Sequence, residues 1–182
     1  MPNPSVTRIL QAAGLVDFSK VPRDILERAQ DFGTKTHKAT ELADLGRLNV
    51  ATLDDAIVPY LNDWYKFTDD YKIKGVSSAI IEQRLESTKY GFTGKPDRIF
   101  TECLTIVDLK TSSAMYASTG IQLAGYQILA EEVYGIKIKR RLCVQLTGKG
   151  YRVEEYTDKS DKSVFLSALN IYNFKKRKGE IK

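Results

Sequence analysis

The stretch Thr105 to Thr111 reads Thr-Ile-Val-Asp-Leu-Lys-Thr, and its alternation of residue types indicates the kind of fold to expect. Its aliphatic and β-branched residues favour a strand, in which successive side chains point to opposite faces. Asp108 and Lys110 therefore share one face with Ile106. A carboxylate and an ammonium among aliphatic neighbours are costly to bury without further partners. The pair is either a cross-strand ion pair near a sheet edge or part of a chemically active site.

A second carboxylate, that of Asp97, lies eleven residues before Asp108. Asp97 closes the segment 94–97, which reads Gly-Lys-Pro-Asp, and a tight turn at 101–102 can bring the two segments together. Asp97 and Asp108 would then converge, and converging carboxylates repel each other unless a cation or a proton lies between them. Hard oxygen ligands of this kind select Mg²⁺ or Mn²⁺. The alternative is that Asp97 is an ordinary turn or bulge residue after the proline.

The rest of the chain alternates helical and strand patterns in an order typical of a mixed α/β domain. A long helix between the third and fourth predicted strands can connect parallel strands, which predicts a mixed sheet of about five strands flanked by helices. We expect one domain over residues 1–182, with an N-terminal helical part at 1–70 and an α/β core at 71–182. The predicted helices are 6–13, 23–45, one that begins between Thr52 and Pro59, 117–134 and one that begins at Asp158 or Ser160; the predicted strands are 73–84, 92–100, 103–111, 136–147 and 151–156.

Composition excludes several classes of protein. The 182 residues include 28 Lys and Arg against 23 Asp and Glu, and the net charge of +5 permits an acidic partner such as nucleic acid. No apolar run approaches the roughly 20 residues of a membrane span, and the first residues carry no signal-peptide pattern, so we expect a cytoplasmic protein without a membrane partner. Cys103 and Cys143 are too few for a four-cysteine zinc or iron–sulfur site. The chain lacks a Gly-x-x-x-x-Gly-Lys-Ser/Thr motif, so we expect no nucleotide cofactor.

Four sequence features carry a resemblance to a known superfamily, and they occur along the chain in that superfamily's order. Pro96-Asp97, followed after ten residues by Asp108-Leu109-Lys110, resembles the PD-(D/E)XK nuclease motif. Glu82 stands where this superfamily usually has an acidic residue before its core hairpin. The segment 122–126 resembles the Gln-x-x-x-Tyr motif of the RecB-like branch, which includes phage-associated exonucleases. The segment 33–37, Gly-Thr-Lys-Thr-His, resembles the upstream histidine motif of that branch.

The resemblance implies a restriction-endonuclease-like α/β core and a metal-dependent DNA nuclease. One or two Mg²⁺ or Mn²⁺ ions would activate a water molecule for attack on a phosphodiester. Lys110 would orient that water or help to deprotonate it, and would steady the charge that develops on the phosphate. The implied catalytic residues are Lys110, Asp108, Asp97 and Glu82, and the implied metal ligands are Asp97, Asp108, the backbone carbonyl of Leu109, His37 and Glu82.

Candidate substrate contacts lie on either side of the predicted site. Gln122 and Tyr126 share a helix face at i, i+4, where they are either a satisfied buried pair or contacts to DNA. Lys137, Lys139 and Arg141 alternate with apolar residues and predict a strand face that neutralises phosphates, although a solvated strand edge has the same pattern. The predicted substrate-binding residues are Gln122, Tyr126, Thr111, Lys137, Lys139 and Arg141.

The resulting hypothesis is an exonuclease that acts on linear DNA ends, single- or double-stranded, in phage or bacterial recombination or repair. It would work in the cytoplasm of a bacterial or phage-infected cell, and a recombination protein or helicase would act in trans. One alternative is a non-catalytic nucleic-acid-binding protein of the same fold, which the intact set of Asp97, Asp108 and Lys110 argues against. The others are a structure-specific endonuclease and a structural protein whose acidic residues form salt bridges.

Overall fold

A mixed five-stranded sheet lies at the centre of the protein, whose computed structural model describes residues 2–17, 19, 21–73, 76–111 and 116–181. The helices are Val6–Ala12 (α1), Arg23–Asp44 (α2), Val58–Asp70 (α3), Ala117–Tyr134 (α4) and Asp161–Arg177 (α5), with 3-10 turns at Val50–Thr52 and Val76–Ser78. The strands are Ile80–Ile81 (β1), Leu85–Ser87 (β2), Phe92–Gly94 (β3), Arg98–Phe100 (β4), Thr105–Lys110 (β5), Arg140–Leu146 (β6) and Tyr151–Glu155 (β7).

The sheet has the order β1-β4-β5-β6-β7, while β2 and β3 form a separate antiparallel hairpin. β5 and β6 run parallel, and the other neighbouring pairs of the sheet are antiparallel. The parallel pair is connected through α4, which ends at Gly135 in the left-handed conformation that favours glycine. This architecture confirms the predicted α/β class, with a mixed sheet of five strands and flanking helices.

Both faces of the sheet are covered by helices. On one face, Ile106 belongs to a buried cluster with Leu123 of α4 and Phe165 of α5. On the other face, Val107 and Leu109 belong to a second cluster that includes Trp64 and Phe67 of α3. The alternation along β5 therefore places Asp108 and Lys110 on the α4 side of the sheet. No helix in the described part of the chain is long and apolar enough to cross a membrane.

Three of the predicted strands are wrong in extent. Within the predicted strand 73–84, of which Lys74 and Gly75 lie outside the described residues, only Ile80–Ile81 is a strand, and it ends where Glu82 adopts a φ of 50°. The predicted strand 92–100 is two strands, because Pro96 cannot donate a ladder hydrogen bond and the chain changes partner there. The predicted strand 136–147 begins only at Arg140.

Gly94 permits a close approach between β3 and α4, and alanine is expected to destabilise the fold there. An added Cβ would lie 2.6 Å from Leu129 Cδ1 and 2.9 Å from the ring of Tyr126, and both side chains are buried. Overpacking of this kind costs about 1–3 kcal/mol, which urea unfolding of Gly94→Ala would measure. Gly33→Ala is the control, because its Cβ would meet only Thr111 Oγ1, at 3.4 Å. Equal stability of Gly94→Ala and the wild type would contradict this prediction.

Candidate active site

Three side chains from separate segments converge beside the end of β5. His37 lies on α2, Glu82 follows β1, and Asp97 precedes β4. His37 Nδ1 is 3.3 Å from Asp97 Oδ1 and 3.6 Å from Glu82 Oε1. One ligand atom of each residue lies within 4.8 Å of the others, a spacing that could hold a metal ion. We call these three residues the metal group.

A buried hydrogen-bonded network positions the elements that carry the metal group. Arg98 is fully buried, and its Nε donates to Asp44 Oδ2 at 2.7 Å. Its Nη2 donates to Thr40 Oγ1 at 3.1 Å, and its Nη1 donates to the backbone oxygen of Asp97 at 2.7 Å. Trp64 Nε1 donates to the other oxygen of Asp44 at 2.9 Å. One arginine thus ties α2, which carries the histidine, to the backbone of the metal group's aspartate.

The carboxylate of Asp97 is fixed directly to β5. The backbone N–H of Leu109 donates to Asp97 Oδ2 at 2.7 Å, which leaves Oδ1 facing His37. Glu82 is fixed to the same residue, because its backbone N–H donates to the Asp97 carbonyl at 3.1 Å. Its positive φ is uncommon for a residue other than glycine, and such strain often occurs at functional sites.

Asp108 stands next to the metal group but is not a member of it. Gln122 Nε2 donates to Asp108 Oδ1 at 3.0 Å and contacts the Tyr126 hydroxyl at 3.1 Å. Asp108 Oδ2 lies 2.9 Å from Lys110 Nζ, yet it is buried and receives no well-directed hydrogen bond from the described residues. The contact with Lys110 is therefore an ion pair whose geometry leaves this oxygen able to accept another ligand.

The electrostatics of the site reflect its concentration of carboxylates. Burial alone would lower the pKa of His37, but Asp97 and Glu82 raise it to about 10. Burial would raise the pKa of Asp97, but the charge of His37 and a backbone hydrogen bond lower it to about 2. Burial raises the pKa of Asp108 even beside Lys110. Desolvation disfavours the charged form of Lys110, but Asp108 raises its pKa. The site thus attracts positive charge, and protons or cations compete for it.

These groups open into a cleft of about 640 Å³ between α2 and the end of β5. Thr111 lines this cleft opposite Gly33, where an added Cβ would lie 3.4 Å from Thr111 Oγ1, so the missing side chain leaves space between the two walls. Three lysines also lie along the walls. The lining residues are Gln30, Gly33, Thr34, His37, Lys38, Glu41, Glu82, Lys95, Asp97, Leu109, Lys110 and Thr111.

The structure separates the predicted substrate contacts into different environments. Gln122 of α4 contacts Asp108, and Tyr126 of the same helix is buried and contacts Gln122. Lys137 and Lys139 precede β6 and are exposed. Arg140, at the start of β6, pairs with Thr105, which is at the other end of β5 from Lys110. Lys137 and Lys139 therefore do not line the cleft.

Arg141 requires a correction, because it is buried and its guanidinium already has protein partners. It donates to the carbonyls of Gly120 and Asp158, at 3.1 and 2.7 Å, and its Nη1 lies 2.9 Å from Asp161 Oδ2. These contacts join α4 to the start of α5. The three residues therefore do not form a strand face, since Lys137 and Lys139 precede β6 and Arg141 contacts α4 and α5. The predicted contact of these residues with phosphate stays a prediction.

Sequence reasoning missed two features of the site. Lys95 lies in the segment 94–97, but no role was predicted for it from the sequence. A cation two residues from Asp97, a predicted metal ligand, could have indicated that it lies at the site. The Asp44–Arg98 pair joins residues 54 positions apart, and nothing local in the sequence indicates it.

The residues present fit a divalent cation. The metal group supplies one imidazole nitrogen and two carboxylates, and Asp108 adds a buried carboxylate oxygen without a directed hydrogen bond. Carboxylates suit Mg²⁺ and Mn²⁺, and imidazole is a common ligand of transition ions. A cation there would also offset the mutual repulsion of the acidic side chains.

Comparison with known proteins identifies the class. A model of the PD-(D/E)XK nuclease superfamily matches residues 11–170, so the chain belongs to this superfamily, whose members usually use divalent metals. The observed sheet and helices are consistent with its restriction-endonuclease-like fold. A Eubacterium rectale protein, provisionally assigned as an exonuclease, has a similar crystal structure, with a TM-score of 0.56 and 13% identity over 100% of this chain and 77% of that chain. At this identity the likeness shows the fold alone. No curated protein matches the chain.

Proposed function

We propose that this chain is a metal-dependent deoxyribonuclease that hydrolyses phosphodiester bonds, and that it acts on DNA ends rather than within strands. The observation that carries the proposal is the Asp108–Lys110 ion pair at the end of β5, placed beside the metal group in an open cleft. Membership of a nuclease superfamily supports the reaction class. We take residues 1–182 as one nuclease domain.

The ligands proposed for Mg²⁺ or Mn²⁺, as one or two ions, surround the end of β5. A bound divalent cation supplies Lewis acidity for attack on a phosphodiester. Asp97 is held for this role by the N–H of Leu109. Gln122 holds one oxygen of Asp108, and the other oxygen contacts Lys110, which lines the cleft. The proposed ligands are His37, Glu82, Asp97, Asp108 and the backbone carbonyl of Leu109.

Lys110 is the residue proposed to act on the reacting phosphate. Its ammonium lines the cleft and is charged, so it can neutralise negative charge that develops on the phosphate and orient the attacking water. Asp108 fixes the position of that ammonium from one side. Thr111 and Gly33 bound the space in which a DNA backbone would lie.

The preference for DNA ends rests on the sequence resemblance to phage-associated exonucleases, and the provisional assignment of the Eubacterium rectale protein agrees with it. The same resemblance supports a role in phage or bacterial recombination or repair, in the cytoplasm, with a helicase or recombination protein in trans. Lys137 and Lys139 remain candidate contacts for DNA that extends beyond the cleft, because both are exposed cations.

The test is digestion of end-labelled linear DNA and of covalently closed circles with EDTA, Mg²⁺ or Mn²⁺. We expect metal-dependent loss of linear DNA only, and no loss with Asp97→Asn, which removes a proposed ligand charge. Asp24→Asn, in the exposed first turn of α2, is the matched control and should remain active. Cutting of circles would favour an endonuclease. Binding of DNA without cleavage under any of these conditions would overturn the catalytic proposal and favour a binding protein.

A further inference from the structure

A second lysine, besides Lys110, lies against the metal group. Lys95 lies between β3 and β4 and lines the cleft, with its Nζ 2.5 Å from Glu82 Oε2. Its side chain is 59% exposed, so it is accessible to solvent although it pairs with Glu82. Its backbone is constrained by Gly94, which packs against buried side chains of α4, and by the fixed φ of Pro96. The backbone of Lys95 is therefore held in place, while its side chain is accessible from the cleft.

The pairing of Lys95 differs in kind from that of the other two cleft lysines. Lys38 contacts Glu41, on the same helix, at 2.9 Å. Lys110 contacts Asp108, whose carboxylate has Gln122 as a second partner. Among the described lysines of the cleft, Lys95 is the one whose ion-pair partner belongs to the metal group. Any cation that binds this group must compete with Lys95 for the charge of Glu82.

We propose that Lys95 contacts a DNA phosphate when the metal group is loaded, and that Glu82 holds Lys95 away from this role until then. This inference rests on the proposed nuclease function. A divalent cation at Glu82 weakens the attraction between Glu82 and Lys95. The released ammonium has three N–H donors on a flexible stem at the wall of the cleft, which suits a phosphate oxygen. Metal loading and DNA binding are thereby coupled through one side chain.

The coupling predicts that Lys95→Ala raises the affinity for Mn²⁺ and lowers the affinity of the metal-loaded protein for DNA. Without DNA, loss of a competing cation should tighten Mn²⁺ binding by about two- to fivefold, the range expected of an exposed ion pair. With the metal present, DNA binding should weaken about tenfold, because a charge-assisted contact to phosphate is lost. With EDTA, DNA affinity should be unchanged, since Lys95 then remains with Glu82. Damage to the fold would instead weaken both metal and DNA binding.

The experiment measures Mn²⁺ binding by calorimetry and binding of a fluorescent oligonucleotide by anisotropy, in a Lys110→Ala background that slows cleavage. The slope of log affinity for DNA against log salt concentration should fall by about 0.7–0.9 for Lys95→Ala, with Mn²⁺ only. Lys95→Arg keeps the charge and should restore most of the DNA affinity. Lys38→Ala is the matched control, whose effect on DNA affinity should be the same with Mn²⁺ and with EDTA.

The outcomes separate this inference from the function on which it rests. If the wild type digests DNA but Lys95→Ala keeps its metal-loaded DNA affinity and salt slope, the role of Lys95 is wrong and the nuclease proposal stands. Equal loss of DNA affinity in Mn²⁺ and in EDTA would show a permanent contact and overturn the coupling to Glu82. Failure of the wild type to bind DNA under any condition would overturn both proposals.

Discussion

Replacing Lys110 by alanine is expected to lower the rate constant of DNA cleavage by about 10²–10³-fold, the usual effect of removing one preorganised group that stabilises transition-state charge. The ammonium is held 2.9 Å from Asp108 and only partly exposed, so its position costs little reorganisation during the reaction. Single-turnover cleavage of an end-labelled oligonucleotide in saturating metal measures the change. DNA affinity should change much less than the cleavage rate, because the cleft retains its other two lysines.

Two further variants make this prediction specific. Lys110→Arg should restore little activity, because the larger planar guanidinium can pair with Asp108 but places its charge differently from the compact ammonium. Lys149→Ala, in the exposed turn between β6 and β7, should cleave at the wild-type rate. A thermal melt of each variant distinguishes loss of chemistry from loss of fold, since removing Lys110 leaves Asp108 without its ion pair. Wild-type single-turnover rates in a folded Lys110→Ala variant would remove Lys110 from the proposed mechanism.

The parts of the site that sequence predicted are those fixed by local rules. Asp108 and Lys110 share a face because a strand alternates its side chains, and the motif spacing pointed to Asp97 and His37 across a longer interval. The contact between Lys95 and Glu82 could not be predicted in the same way. Glu82 has a positive φ, which is uncommon for a residue other than glycine, so its residue type does not indicate this backbone conformation.

Long-range packing determines two features that the sequence did not indicate, the burial of Arg141 and the strand partners on either side of Pro96. The pattern around Arg141 alternates like a strand face, but the neighbouring helices bury its guanidinium, and no local signal shows that α5 begins beside it. The division of the predicted strand 92–100 was foreseeable in part, because Pro96 interrupts any ladder. The new pairing partners were not foreseeable, because β3 pairs with β2 and β4 pairs with β5, and these positions depend on the fold.

Replacing Asp44 by alanine is expected to lower the free energy of unfolding by about 3–5 kcal/mol, because it leaves the buried charge of Arg98 without its ion-pair partner. Trp64 also loses the acceptor of its indole N–H. Urea unfolding measures the loss, and Asp54→Ala, an exposed acidic residue outside this network, should change it by less than about 1 kcal/mol. A loss below that value for Asp44→Ala would contradict the prediction.

The contribution of the buried Asp44–Arg98 pair to the position of the metal group can be measured separately from its contribution to stability. Burial raises the pKa of Asp44 even against the charge of Arg98, so the attraction does not fully offset the cost of desolvation. A double variant, Asp44→Leu with Arg98→Met, should therefore recover part of the stability that Asp44→Ala loses. It should still bind Mn²⁺ more weakly than the wild type, because the backbone oxygen of Asp97 loses Arg98 as a donor and keeps only the N–H of Glu82 among the contacts described above. Wild-type Mn²⁺ affinity in this double variant would show that the network stabilises the fold without positioning the metal group.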